Sequence, residues 1–303
     1  MLIEYNDHIN HLRKIRSGEI RTGAKLGLPK IDEYFRFKPS NFNIILGHAN
    51  VGKTSIALYL MLLYSVLHKK RWLVYSSENE PYSLIRKMIE FLEKKPINKI
   101  SEEGFTRSSR FVDKYFKFVD NQKMYTYKDL IELAVAIKGA WDYDGLFVDP
   151  YNSLKKDPVL LKSVGGHEYD YQACTEFRIF CKKYGITVWL NTHANTEALR
   201  KKHTAFEDYA GHPIPPMASD VEGGGKFVNR ADDFMVIHRY VQHPSEYMYC
   251  HIHIRKVKEI ETGGRPTSLS DPIKLKALPN NVGYTLGEED MLQAVKTPEN
   301  LPF

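Results

Sequence analysis

Cysteine is scarce in this sequence. The 303 residues hold three, Cys174, Cys181 and Cys250, with no C-x-x-C pair. An odd, sparse set excludes a disulfide framework and fits a reducing compartment. Cys174 and Cys181 stand seven apart on one face of a predicted helix, as buried small apolar residues would. Long hydrophobic runs are also missing. The longest, Ile56 to Leu67, is too short to cross a bilayer and contains a serine and tyrosines. The opening residues, MLIEYNDHINHL, lack the basic-then-apolar layout of an export signal. No membrane partner is expected, and the expected location is cytoplasmic. Internal repeats and low-complexity blocks are absent. Lys and Arg number 43 against 37 Asp and Glu, a formal charge of +6. That balance permits a polyanionic partner without requiring one.

What is present is an alternation of strand and helix signals. Ile3, Ile9, Leu12 and Ile15 recur at helical spacing in a short amphipathic leader. FNIILG, RWLVYSSE, YFKFVD, GLFVDP and ITVWLNTH read as strands. Lys53 to His68, PYSLIRKMIEFLEKK, YKDLIELAVAIKGA and HEYDYQACTEFRIFCKKYG read as helices, the last stopped by Gly185. Such repetition predicts an α/β fold with a mainly parallel sheet and helices on both faces. DDFMVIHRY and YMYCHIHIRKVK follow without long helices between them, so antiparallel strands are expected at one edge. Residues 195–225 are polar and rich in proline and glycine, and a loop that long is usually functional or disordered.

The chemistry begins at GHANVGKT, which fits G-x-x-x-x-G-K-[ST] between a strand and a helix. Gly47, His48, Ala49, Asn50, Val51, Gly52, Lys53, Thr54 and Ser55 would cradle a nucleotide triphosphate on backbone N–H groups at a helix start. Lys53 would reach the β- and γ-phosphates, and Thr54 would bind Mg²⁺. The expected cofactors are ATP and Mg²⁺. Asp149 ends an apolar strand, where a second carboxylate holds the magnesium through water. No acid follows it, so the general base comes from elsewhere. Glu78, at the end of LVYSSE, would emerge at the same sheet edge. His193 ends another buried strand and would touch the γ-phosphate. His251 and His253 alternate on a strand without a matched ligand cluster, so no metal site is read there. In the long loop, Lys201 and Lys202 add positive charge, and EGGGK offers backbone N–H groups and Lys226 as a phosphate-binding surface. No stacking aromatic is evident in that loop, so backbone tracking is expected.

The order of these parts resembles the DnaB-like (superfamily 4) ring helicases, which include bacterial replicative helicases and phage and mitochondrial Twinkle-type enzymes. The resemblance rests on TGAKLGLPKIDEYF, NIILGHANVGKTS, YSSEN, GLFVDPYNSL, WLNTHANTEAL and SDVEGGGKFVNRADD, and spans roughly residues 20 to 285. The histidine sensor is closer to the phage and Twinkle branch, since bacterial members usually have glutamine there. The resemblance implies a RecA-like core and a DNA helicase that translocates on single-stranded DNA in phage-type replication, with the host cytoplasm as its location. Glu78 would be the catalytic base and His193 the γ-phosphate sensor. Asp220, Gly223, Gly224, Gly225 and Lys226 would face single-stranded DNA in the channel of a hexameric ring. Residues 1–20 would form a linker helix packing on the neighbouring subunit, 21–290 the ATPase domain and 291–303 a tail. Primase or a loader is the implied protein partner. A late K-x-R signature is expected in this group. The nearest match is Lys256-Val257-Lys258, and a shift of two puts Lys258 first and Ile260 at the finger position. Lys256, Lys258, Arg255 and Arg265 are therefore the candidates for a cation acting in trans. Two other functions suit the same motifs: a RecA/RadA-like recombinase, and an ATP-switched scaffold that does not unwind DNA.

Overall fold

The strand and helix signals alternate, and the chain follows them. The computed structural model describes residues 5–19, 23–259 and 263–296. Ile3, Ile260 and the end of the expected tail, residues 297–303, lie outside the described residues. In chain order the elements are α1 (Tyr5–Arg16), α2 (Pro29–Asp32), β1 (Phe42–Gly47), α3 (Lys53–His68), β2 (Trp72–Ser76), α4 (Pro81–Glu93) and α5 (Glu102–Tyr115). Next come β3 (Phe116–Phe118), α6 (Tyr127–Ala140), β4 (Gly145–Asp149), α7 (Pro158–Tyr184), β5 (Thr187–His193) and α8 (Lys226–Arg230). The chain closes with β6 (Asp233–His238), β7 (Tyr249–Val257), β8 (Ile273–Ala277), β9 (Tyr284–Leu286), β10 (Glu289–Asp290) and α9 (Met291–Lys296).

One sheet collects all these strands in the order β10-β9-β8-β7-β6-β1-β5-β4-β2-β3. From β6 to β3 every pairing is parallel, and from β6 to β10 every pairing is antiparallel. The central strands are buried on both faces, so they read as continuous apolar runs. Their alternation divides the core. Ile45, Phe147 and Trp189 face α3, α4, α5 and α9, while Ile44, Leu46, Val148 and Leu190 face α6, α7 and α8. Helix α3 is apolar almost all round and nearly every residue from Ile56 to Leu67 is buried, as expected of a helix inside a core. The sheet's edges are short strands, β3 and β10, which limits edge pairing.

Three segments depart from the sequence reading. Helix α5 has no counterpart in it. Ser101 caps this helix by accepting from the Gly104 N–H, Glu102 and Glu103 suit its first turn, and it runs to Tyr115. The strand read as YFKFVD is thereby shortened to Phe116–Phe118. Helix α7 starts at Pro158, earlier than His167, because Asp157 caps it and a kink at Gly165 (φ +78°) lets it continue. Residues Met291–Lys296 form α9, with Met291, Leu292 and Val295 buried, so the folded body runs past residue 290. Helix α1 buries no residue and leaves Leu12 57% exposed. All three cysteines are free and buried. Among the described residues no helix is long and apolar enough to cross a membrane.

Candidate active site

The site lies at the carboxyl edge of the parallel strands. Strand β1 delivers Gly47, whose register partner on β5 is His193. A Cβ on Gly47 would meet the Ile237 carbonyl oxygen at 2.5 Å, so this position needs glycine for close approach. Asn50 (φ +62°) and Gly52 (φ +92°) turn the loop back into α3. Lys53 opens that helix and is buried. Its Nζ donates to the carbonyls of Gly47 (3.0 Å) and His48 (2.8 Å), and lies 3.3 Å from His193 Nδ1. Burial lowers its pKa to about 8, against the opposing fields of Asp149 and Glu78.

Strands β2, β4 and β5 bring in the polar partners. Register sets Ser76 beside Asp149. Asp149 is fully buried, yet both its oxygens are satisfied. Oδ2 accepts from Thr54 Oγ1 (2.8 Å), Ser76 Oγ (3.3 Å) and Asn79 Nδ2 (3.4 Å), and Oδ1 accepts from Asn191 Nδ2 (2.6 Å). Burial raises its pKa, while Asn191, Thr54 and Lys53 favour the ionised form. Glu78 emerges just past β2, and its Oε1 lies 3.2 Å from His193 Nε2. With Lys53 donating to Nδ1, His193 presents Nε2–H to Glu78. Sequence reasoning named Lys53, Thr54, Asp149, Glu78 and His193 separately, and the fold brings them together. It missed Ser76, Asn79 and Asn191, whose signal was weak: small polar residues at the ends of apolar strands.

A hydroxyl and an ionised carboxylate at a phosphate-loop helix are the hard oxygen donors that suit Mg²⁺, which keeps several waters and takes few protein ligands. Thr54 and Asp149 fit that requirement. Beside the site, a cleft of about 650 Å³ opens between Arg239, Lys276, Leu278, Asn280 and Thr285. The hydroxyls of Tyr284 and Ser55, 2.8 Å apart, join this region to the start of α3.

The loop residues fall in different places. The end of β5 pairs with the glycine-rich segment: Glu222 N–H donates to the His193 carbonyl (3.0 Å) and Asn195 N–H to the Asp220 carbonyl (2.8 Å). Gly223 and Gly224 have φ of +102° and +90°, and Phe227 and Asp170 crowd Gly223. Gly225 starts α8. Lys202 is exposed. Lys201 is half exposed and pairs with Asp220 at 2.7 Å. Lys226 departs from the expectation of a solvent-facing cation. It is buried, donates to the His167 carbonyl, and has a pKa lowered by burial, because α8 tucks its first turn under α7. Phe206 is fully exposed in the same loop, where the sequence reading found no stacking aromatic.

The candidates for a trans-acting cation lie away from this chain's own phosphate loop. Val257 pairs with Asp233 at the start of β6, while Ile252 pairs with Ile237 beside Gly47. Five residues of strand separate those levels, roughly 15 Å. Lys256 Nζ donates to the carbonyls of Val228 and Ala231, both at 2.7 Å, and so closes the end of α8. Lys258 pairs with Asp232 at 3.2 Å and is 42% exposed. Arg265 pairs with Glu33 over the Tyr34 ring. Arg255 is the extra residue of a β-bulge, since Phe234 faces Lys256 and Met235 faces Ile254. Its Nε and Nη1 are buried without a partner.

A second buried cluster covers the other end of β6, beside the phosphate loop, and the part of β7 that pairs with it. His238 and His251 meet the Tyr240 ring, on which Tyr209 stacks at 3.9 Å, while His48 packs on His238 and His253 on His251. Burial lowers the pKa of His238 to about 3, His251 to about 4 and His253 to about 2. Among the described residues no group of three or more His, Cys, Asp or Glu is arranged to hold a metal ion.

No family model and no curated protein matches the sequence. Solved structures do. The ATPase domain of a phage helicase superposes with a TM-score of 0.69 at 14% identity, covering 92% of this chain and 97% of that one. A DnaB-like replicative helicase, described with its interactions with primase, superposes with a TM-score of 0.69 at 14% identity, covering 94% of this chain and 67% of that one. At that identity the likeness is one of fold. The chain has the helix-flanked, mainly parallel sheet with antiparallel edge strands of these RecA-like ATPase domains.

Proposed function

We propose that this chain is an ATP-hydrolysing motor that moves on single-stranded DNA and unwinds duplex in phage-type DNA replication. One observation carries the reading: Lys53, Thr54, Asp149, Glu78 and His193 converge at one end of a parallel sheet. The likeness in fold to a phage helicase domain and a replicative helicase agrees with it. Residues Gly47 to Ser55 hold the triphosphate. Lys53 exchanges its loop carbonyls for phosphate oxygens and stabilises charge as it develops. Thr54 and Asp149 would hold Mg²⁺, which neutralises phosphoryl charge when bound. The cleft lined by Arg239 and Asn280 gives room for the base. Glu78 orients the attacking water and takes its proton, and His193 hydrogen-bonds to that carboxylate. Because β5 pairs with residues 220–222, loss of phosphate at His193 is passed by backbone hydrogen bonds to Gly223–Gly225.

Those glycines, with Lys201 and Lys202, bind the DNA backbone, and Lys226 serves instead to anchor α8. A ring of six copies is the working form. The exposed α1 packs on a neighbouring copy as the linker of residues 1–20, and the motor runs from residue 21 through α9. Lys256, Lys258, Arg255 and Arg265 are the cations from which a neighbour's γ-phosphate is reached, and Lys258 is the half-free one of the K-x-K pair. A primase or loader is the protein partner, in the host cytoplasm. The test is ATP turnover with and without a thymidine oligomer, unwinding of a forked duplex, and mass in solution with a non-hydrolysable ATP analogue. Turnover raised by the oligomer, with fork opening and a sixfold mass, is expected. Turnover indifferent to DNA would overturn the reading. Filaments without unwinding would point to a recombinase.

A further inference from the structure

The turn after β4 joins the metal carboxylate to two other parts of the site. Asn152 stands three residues past Asp149. Its Oδ1 accepts from Thr192 Oγ1 (2.9 Å) and from the His193 backbone N–H (2.9 Å). Its Nδ2 donates to Glu222 Oε2 (3.0 Å). The amide orientation follows from chemistry: a backbone N–H only donates and a carboxylate only accepts. Next to it, Tyr151 donates to Asp170 (2.7 Å) and meets Phe227 edge-on at 5.3 Å. Asp170 and Phe227 are the side chains that crowd Gly223. One short turn therefore touches the end of β5 and both flanks of the glycine-rich segment.

We infer that Asn152 is a positioning residue that locks His193 and Glu222 to one amide group, so that the sensor and the glycine-rich segment move together. The inference rests on the function proposed above and adds the side chain that makes the coupling stiff. Backbone pairing alone joins His193 to Glu222 by a single hydrogen bond. The carboxamide adds a second, side-chain path between the two, and it ties that path to Asp149 by three residues of chain. The hydrogen bonds of the Asn152 side chain go to Thr192, His193 and Glu222, all outside the phosphate loop.

Reversing the polarity of the Asn152–Glu222 contact tests this. Asn152→Asp keeps the acceptor for Thr192 and His193 but sets a carboxylate against Glu222. Glu222→Gln alone keeps an acceptor for Nδ2. The double variant restores the contact with donor and acceptor exchanged. Asn152→Asp is expected to lower kcat in the presence of a thymidine oligomer about tenfold, the scale of one hydrogen bond to a charged group. KM for ATP should stay within about twofold, since uniform binding is untouched. Glu222→Gln, whose amide oxygen still accepts from Nδ2, should lower kcat by less than Asn152→Asp does, by about threefold at most, and the double variant should recover to within about threefold of the parent. A residue that only fills space would give additive effects, not rescue. Unchanged kcat in Asn152→Asp, or a double variant no better than that single one, would overturn the inference. A parent protein whose turnover ignores the oligomer would instead defeat the proposed function. Hydrogen exchange then remains as readout. Protection of residues 220–226 by a non-hydrolysable ATP analogue should vanish in Asn152→Asp and return in the double variant, and protection unchanged across the three proteins would overturn the inference.

Discussion

Two buried polar clusters adjoin at the phosphate loop, and they are built on opposite principles. Around Asp149, both carboxylate oxygens meet donors from two strands, a helix and the loop after β2. Around His253, both ring nitrogens are buried with no partner. The first cluster supports a charge where phosphate and metal chemistry needs one. The second excludes charge: its rings pack as aromatic surface against Tyr240 and are held neutral by burial. His48 stands between them, 6.3 Å from His238 by ring centroid, with its own carbonyl accepting from Lys53. Burial alone therefore does not mark a functional group here. Satisfaction by convergent donors does.

The contrast can be broken from either side. The largest expected effect is at Glu78. Glu78→Gln should lower ATP turnover by about 10²–10⁴, the usual contribution of a general base, and leave nucleotide affinity near the parent's. Steady-state turnover beside binding of a fluorescent ATP analogue checks this, and full activity would remove Glu78 from its role. Lys53→Ala comes next, with turnover down about 10²–10³ and nucleotide binding weakened. Retained turnover in that variant would mean that the triphosphate does not sit on this loop.

Acid should strike the histidine cluster. Its ordinary pKa is 6.5, and in the fold it drops to about 4 for His251, about 3 for His238 and about 2 for His253. Below pH 6.5 the unfolded chain takes up protons that the fold refuses. The groups facing the rings include Lys274 at His251 and Arg255 at His253, which also oppose charging, while Glu246 lies 3.8 Å from His251 and favours it. Stability should thus be complete above about pH 6.5 and fall toward about pH 4, by about 1.4 kcal/mol per pH unit for each histidine kept neutral. Urea unfolding from about pH 8 to about pH 4.5 measures that slope, and a flat profile would mean that the rings are hydrated. The smallest effect is at His253→Phe. Exchanging one ring for another should change stability by less than about 1.5 kcal/mol and flatten the acid slope by one histidine.

The phosphate loop was legible because its chemistry is local: two glycines, a lysine and a threonine between a strand and a helix dictate their own geometry. Asp149, Glu78 and His193 were legible by a weaker argument, that polar residues ending apolar strands gather at one sheet edge. Strand order made that argument succeed, since β1, β5, β4 and β2 are neighbours. Lys226 shows where it stops. Its sequence context, after three glycines, suits a mobile cation, yet the residues that bury it, His167 and Asp170, lie more than fifty positions earlier. Helix α5 escaped because its buried positions are Gly104, Ser108, Val112 and Tyr115, only two of them large and apolar.

By itself the sequence determined the alternation of strands and helices, the loop that grips phosphate and the acids and histidine that end the inner strands. Those features depend on residues adjacent in the chain. Only the tertiary structure decided which polar side chains share a carboxylate, which lysines are committed to carbonyls and helix ends, and how Asn152 spans two loops. Such contacts join residues tens to hundreds of positions apart, and their energies exist only once the sheet has set the strand ends side by side.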